Sequence, residues 1–209
     1  SAAKGIRYLL EAFALVHAEL PEARLVLVGG GDAVAEHRRF AAALGIPDAV
    51  AFRGTLSLEA LVEAYQAASV VVLPSTTDSE SFGMVLIEAM ACAKPVIGSD
   101  VGGIPFVIDD GRDGYLVPPA DAGALAGACL EILRAPDLAA ALGTRGHRKV
   151  RDRFTWHAQI DKYRAIFETL PGTWAPSPDA LGAPTGLGAA PGEELRMAGH
   201  SDAPVSGRH

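Results

Sequence analysis

The chain predicts an α/β fold, a doubly wound parallel sheet of the Rossmann-like kind, and three observations carry that expectation. Short apolar runs of strand length alternate with longer segments of helical period through most of the chain. The run Val70-Val71-Val72-Leu73-Pro74-Ser75 reads as a buried strand ended by proline, and the next apolar segment, from Met84 to Cys92, is rich in helix formers. Finally, 209 residues of 49% hydrophobic composition allow one sizeable core and a tail.

The elements follow in order. Tyr8 to Val16 has helical period, Leu25 to Val28 is a strand, and Ala33 to Leu44 is helical again. Val50 to Phe52 is a strand, Leu58 to Ala67 a helix, and Val70 to Leu73 the buried strand. Beyond the helix from Met84, Val96-Ile97 and Tyr115-Leu116-Val117 are strands, with a short turn near Ile104 between them. Helices then run at Ala122 to Leu133, Leu138 to Val150 and Trp156 to Leu170, the last capped by Thr155. This alternation implies binding sites at the carboxyl ends of the strands. Residues 1–170 form the expected domain. Residues 171–209 are about one-third Gly plus Pro without sustained periodicity, a composition associated with disorder, and no function is assigned to them.

Glu80 and Glu88 bracket Glu80-Ser81-Phe82-Gly83-Met84-Val85-Leu86-Ile87-Glu88, at the junction of that buried strand with the following helix. A helix N-terminus presents free N–H groups and the positive end of a dipole, which favours a bound phosphate. Gly83, lacking a Cβ, is expected to let a ligand approach the backbone. If both carboxylates were helical they would stand about 12 Å apart along the axis and about 80° apart around it. One would sit at the mouth and the other up to two turns inside. That suits an extended ligand with an anionic middle and hydroxyl-rich ends, since a carboxylate accepts hydrogen bonds from a vicinal diol. The pattern points to a nucleotide-diphosphate sugar. A glutamate near a helix start also complements the dipole without any ligand, a second reading of Glu80 that stays open beside the first. Glu88 is set among Met84, Val85, Leu86, Ile87, Ala89, Met90 and Ala91, where a carboxylate needs a partner.

At these residues the chain resembles the donor-binding, C-terminal half of the retaining GT-B glycosyltransferases of family 4, also called group 1. The resemblance rests on an ordered set: Pro74-Ser75, Glu80-Ser81-Phe82-Gly83, Glu88-Ala89-Met90-Ala91 and Lys94-Pro95-Val96. It continues in Val101-Gly102-Gly103-Ile104-Pro105, Asp109-Asp110-Gly111, Gly114-Tyr115-Leu116-Val117 and Phe154-Thr155-Trp156. Upstream, Lys4-Gly5 and Leu25-Val26-Leu27-Val28-Gly29-Gly30-Gly31 belong to it too. Carried over, it implies that Lys4 contacts the donor pyrophosphate, Glu80 the hydroxyls of the transferred sugar, and Glu88 the ribose. Backbone N–H groups around Phe82, Gly83, Met84 and Val85 would meet sugar and phosphates, and Arg53-Gly54 would border the base. Phe106 stands where many members carry Glu, so nothing catalytic is assigned there; Ala93 stands where many carry Gly.

The resemblance implies transfer of a sugar, with retention, from a nucleotide-diphosphate sugar to an acceptor hydroxyl in glycan, polysaccharide or glycolipid synthesis. Lys4 and the helix N-terminus would stabilise the leaving diphosphate electrostatically. No Asp-x-Asp occurs, so neither a metal nor another cofactor is expected. Members of the family carry an acceptor domain, a first donor-domain strand and a phosphate-binding arginine ahead of the lysine, none of which is seen before Lys4. Without that strand, central in the 3-2-1-4-5-6 order, the sheet is expected to show a gap, with unpaired backbone costing roughly 1 to 3 kcal/mol per group. The chain alone is then expected to be unstable or inactive.

Two rivals remain, a GT-B-fold sugar-nucleotide epimerase and a non-catalytic donor-binding fragment. A dinucleotide oxidoreductase is disfavoured because Val34 stands where the G-x-G-x-x-G pattern following Gly29 needs glycine. Paired glycosidase carboxylates are disfavoured too, with no second acid placed opposite Glu80. A net charge of −7 argues against a nucleic-acid or anionic-membrane partner for this domain. Any membrane contact would come through an acceptor-binding domain. The basic cluster Arg145, His147, Arg148, Lys149, Arg151 and Arg153 reads as a solvated helix face. Cys92 and Cys129 show no metal or disulfide spacing and read as small buried residues of a reducing compartment. No run has the length of a membrane span and no signal segment opens the chain, so the expected location is cytoplasmic.

Overall fold

The computed structural model describes residues 4–169. The expected tail, 171–209, lies outside them. The elements alternate as the periodicity implies: α1 (Ile6–Glu19), β1 (Leu25–Val28), α2 (Val34–Ala43), β2 (Val50–Gly54), α3 (Leu58–Ala67), β3 (Val71–Leu73) and α4 (Met84–Ala91). Then come β4 (Val96–Ser99), α5 (Ile104–Val107), β5 (Tyr115–Val117), α6 (Ala122–Arg134), α7 (Pro136–Arg153) and α8 (Trp156–Thr169). The expected turn near Ile104 is a one-turn helix, α5, with Pro105 in its first turn, where the missing N–H costs nothing. The contacts form one unit over residues 1–163; the described part of a second, 164–209, is the end of α8.

All named strand pairs are parallel. They form two ladders rather than one, β1-β2 and β3-β4-β5. In the first, Leu25 faces Val50 and Leu27 faces Phe52; in the second, Val72 faces Ile97 and Gly98 faces Leu116. No strand of the first ladder is paired with one of the second, so the sheet is divided into two parts among the described residues.

Strand β4 shows why helices cover both faces of the second ladder. All four of its residues are buried, and successive side chains point to opposite faces. Ile97 packs in a core with Leu9, Leu10 and Phe13 of α1 and Leu125 and Ile132 of α6. Val96 packs in a core with Leu86 and Met90 of α4, Ile104 and Val107 of α5, and Val150 of α7. Strand β1 is covered less completely, for Val26 and Val28 are exposed.

The basic cluster on α7 is not simply a solvated face. Lys149 is buried, its Nζ 2.9 Å from Asp113 Oδ2 and 3.0 Å from Asp109 Oδ2. The ammonium lies off the ideal hydrogen-bond directions, so this is an ion triad held by charge. Lys149 holds the Asp109 carboxyl below the ordinary aspartate range, and partial burial opposes that shift. Asp113 Oδ1 also accepts from Asp109 N at 2.8 Å. The helical period of α7 places Lys149 on the inward side with Leu142, Gly143, Gly146 and Val150, all buried, while Arg148 and Arg151 face solvent. Cys129 is buried and Cys92 half-buried, and both are free thiols; burial pushes the Cys129 thiol up to about 12.

Candidate functional site

The carboxyl end of β3 leads through Pro74 and the buried Ser75 into the loop that carries Glu80. One oxygen of Glu80, Oε2, accepts from Lys4 Nζ at 2.8 Å and from Ser75 Oγ at 3.0 Å. The Lys4 ammonium holds the Glu80 carboxyl below the usual carboxylate range; burial opposes this and the Ser75 hydroxyl adds to it. Glu80 is largely enclosed, its side chain 15% exposed, whereas Lys4 is 58% exposed and keeps an open side toward solvent. The two residues expected to meet opposite ends of a glycosyl-phosphate bond thus neutralise each other in the ligand-free arrangement.

Backbone close approaches build this pair. Gly5, the N-cap of α1, has φ +64, and a Cβ there would stand 1.8 Å from the Pro74 carbonyl oxygen. Only glycine lets the chain before α1 lie against the end of β3, and that contact sets Lys4 beside Glu80. On the other side of the loop, Gly103 N donates to Glu80 O at 2.9 Å and Gly102 N to Asp78 Oδ1 at 3.2 Å. A Cβ at Gly102 would meet Glu80 O at 2.3 Å, and one at Gly103 would meet Ser81 O at 2.0 Å. The Val101-Gly102-Gly103 motif therefore acts as a flat backing that fixes the loop.

Helix α4 begins where the loop ends. Its N-cap is Gly83 at φ +73, with no side-chain cap. Side chains close the starts of α3 and α6, where Ser57 accepts from Ala60 N and Asp121 from Ala124 N, whereas α1, α2, α5 and α7 lack a side-chain cap as α4 does. The uncapped first turn leaves backbone donors and the positive dipole end available to an anion. Phe82, Met84 and Val85 are exposed there. The expectation for Gly83 needs correction, since its Cβ direction points at Leu73, Leu86 and Ile104 side chains 3.3 to 3.5 Å away, not at a ligand cleft. What requires glycine at this position is the left-handed backbone.

The two carboxylates do not share a helix, so the axial separation and angular offset of a helical pair do not apply. Glu80 lies in the loop ahead of α4 and Glu88 in its second turn, half-buried. The partner that Glu88 was expected to need is Tyr65 of α3, whose Oη donates to Glu88 Oε2 at 2.7 Å. Neither Tyr65 nor Ser75 drew notice as a site residue. Tyr65 is one tyrosine in an ordinary amphipathic helix, and its only signal is a polar tip at a position the helical period buries.

Arg53 and Gly54 lie at the carboxyl end of β2, on the other ladder. Gly54 O accepts from Gly29 N at 2.8 Å. Arg53 is exposed, and its side chain has no hydrogen bond or ion pair among the described residues. No strand pairing brings these two to the Glu80 and Glu88 end. Among the described residues, no three His, Cys, Asp or Glu side chains are grouped to hold a metal ion.

Residues 1–149 match the family described as Glycosyl transferases group 1. The D-inositol 3-phosphate glycosyltransferase of Streptomyces scabiei is 42% identical over 144 residues, which cover 65% of this chain and 32% of that protein. Among solved structures, the sucrose-phosphate synthase of Thermosynechococcus elongatus is similar at 41% identity and a TM-score of 0.69, over 81% of this chain and 44% of that one. HepE of Anabaena, solved with UDP and glucose, gives 26% identity and a TM-score of 0.73 over 81% of this chain and 46% of that one. The chain spans about a third of the length of the curated relatives it matches.

Proposed function

The chain belongs to the group 1 glycosyl transferases, and from that premise we propose that it forms the donor half of a retaining GT-B enzyme. The enzyme transfers a sugar from a nucleotide-diphosphate sugar to an acceptor hydroxyl. The observation that carries this reading is the Lys4, Ser75 and Glu80 cluster set at the uncapped start of α4. Donor phosphates entering that turn meet backbone N–H groups and the Lys4 ammonium, which moves from Glu80 to the pyrophosphate. Glu80, relieved of its lysine, accepts from the sugar hydroxyls, and Glu88 accepts from the ribose. As the glycosidic bond breaks, negative charge grows on the leaving diphosphate, where Lys4 and the helix terminus are already aimed. This chemistry is assigned no metal. Arg53 and Gly54 border the base, and the acceptor is held by another domain. The HepE structure with UDP supports a nucleotide-diphosphate donor. The proposed location is cytoplasmic, with membrane contact left to the acceptor side; among the described residues no helix is long and apolar enough to cross a membrane.

In the full-length parent enzyme, Glu80→Ala is expected mainly to slow transfer and Glu88→Ala to weaken nucleotide binding. Single-turnover rates and calorimetric titration with several nucleotide sugars read the two effects separately; if neither substitution alters rate or affinity, the assignment fails. The divided sheet supports a second reading, in which this chain by itself holds the donor without turning it over. Turnover by the purified chain overturns that second reading, and epimerisation of a donor supplied alone overturns the transferase.

A further inference from the structure

We propose that Tyr65 is a positioning residue for the nucleotide, acting through Glu88 to set the ribose specificity of the site. The inference rests on the assignment of Glu88 to the ribose. Tyr65 is buried, and its ring packs in the core with Leu73, Leu86, Ile87 and Met90, so β3 and α4 hold the phenol in place. Its hydroxyl emerges from that core against Oε2 of Glu88, at 2.7 Å. Glu88 has no other hydrogen bond or ion pair to a side chain among the described residues, and its Oε1 is left open. A glutamate with three side-chain torsions is thereby held at one oxygen by a rigid donor, and the remaining lone pairs face whatever binds at the half-exposed position.

Burial first, and then the Glu88 carboxylate, raise the Tyr65 phenol far above its ordinary value. The hydroxyl therefore stays protonated and donating throughout the working range of pH. An ionised phenolate would repel Glu88, so the direction of this shift is the one that positioning requires. The consequence is pre-organisation: the carboxylate meets a diol without first losing side-chain freedom.

Tyr65→Phe tests this with one oxygen removed and the core-filling ring retained. The readout is the ratio of dissociation constants for a 2′-deoxy or 3′-deoxy nucleoside diphosphate to that of the ribonucleotide, by calorimetry. UDP, GDP and ADP are titrated first, and the tightest is used. The ratio does not depend on the fraction of folded protein, so a merely structural role for Tyr65 leaves it unmoved. In the wild type the ratio is expected at about 10 or more, the loss of one charge-assisted hydrogen bond. Glu88→Ala should bring it to about 1, and Tyr65→Phe should lower it several-fold; in the full-length parent enzyme Tyr65→Phe should also raise the KM for donor and spare kcat. A ratio unchanged in Tyr65→Phe but flattened in Glu88→Ala overturns the positioning role and leaves the ribose assignment standing. A ratio unchanged in Glu88→Ala, or no binding of any of the three nucleotides, overturns the assignment and this inference with it.

Discussion

Two lysines meet carboxylates in this molecule, in opposite surroundings. Lys149 is sealed between α7 and the turn before β5, its side chain 6% exposed, with Asp113 equally buried and Asp109 alongside. Lys4 lies at the start of α1, 58% exposed, against the single carboxylate of Glu80. The charges and distances are nearly alike, 2.9 Å and 2.8 Å to the nearest oxygen. What differs is solvent. A sealed pair has already given up its hydration and is ruinous to break, so it serves as a clamp. An open pair contributes little to stability and exchanges partners easily, which suits an ammonium that has to move to a phosphate.

The largest expected effect breaks the clamp. Lys149→Met should cost about 3 to 5 kcal/mol in urea unfolding, because Asp113 is left charged and buried. A loss under about 1 kcal/mol would mean that the triad is hydrated and the contrast with Lys4 false. The reverse signature belongs to Lys4→Ala: donor affinity should fall about 10- to 100-fold by calorimetry, while stability changes by less than about 1 kcal/mol.

Acid titration sharpens the same comparison. Asp109 and Glu80 both have folded values below their unfolded ones. Each therefore adds stability that is present above its unfolded value, near pH 4, and lost as pH falls through the depressed folded value. Lys149→Met should remove the acid-dependent loss that Asp109 contributes, flattening unfolding free energy against pH below about 4. Lys4→Ala should flatten it likewise through Glu80, whose side chain is 15% exposed against 44% for Asp109. An unchanged slope in either variant would show that its lysine does not hold the carboxyl below the ordinary range.

The alternation of elements was legible because period 2 and period 3.6 are local properties of apolar residues. Every expected strand and helix in residues 4–169 is present, with ends shifted by a few residues where fraying and capping decide the boundary. Glu80 and Glu88 were legible as a pattern around one strand-helix junction, and Lys4 only through the family resemblance. Ser75 was visible only as a landmark and Tyr65 not at all, because what makes each matter is a partner in another element. At Gly83 the backbone conformation and the packing of Leu73, Leu86 and Ile104 exclude a side chain, which local sequence could not show. The burial of Lys149 escaped the reading of α7 as a basic face because five cations in a short run look solvated until the inward side of the helix is known.

From the residues alone followed the fold class, the family and the junction at which an anionic ligand would sit, since periodicity, turn chemistry and motif order are carried by neighbours along the chain. The tertiary structure alone decided that Lys4 closes on Glu80, that Tyr65 holds Glu88, and that one of two similar ion pairs is sealed. Lys4 and Glu80 are 76 positions apart, and Tyr65 and Glu88 are 23. Contacts over such spans, and the solvent excluded around them, depend on how helices pack on strands, and no local pattern encodes that packing.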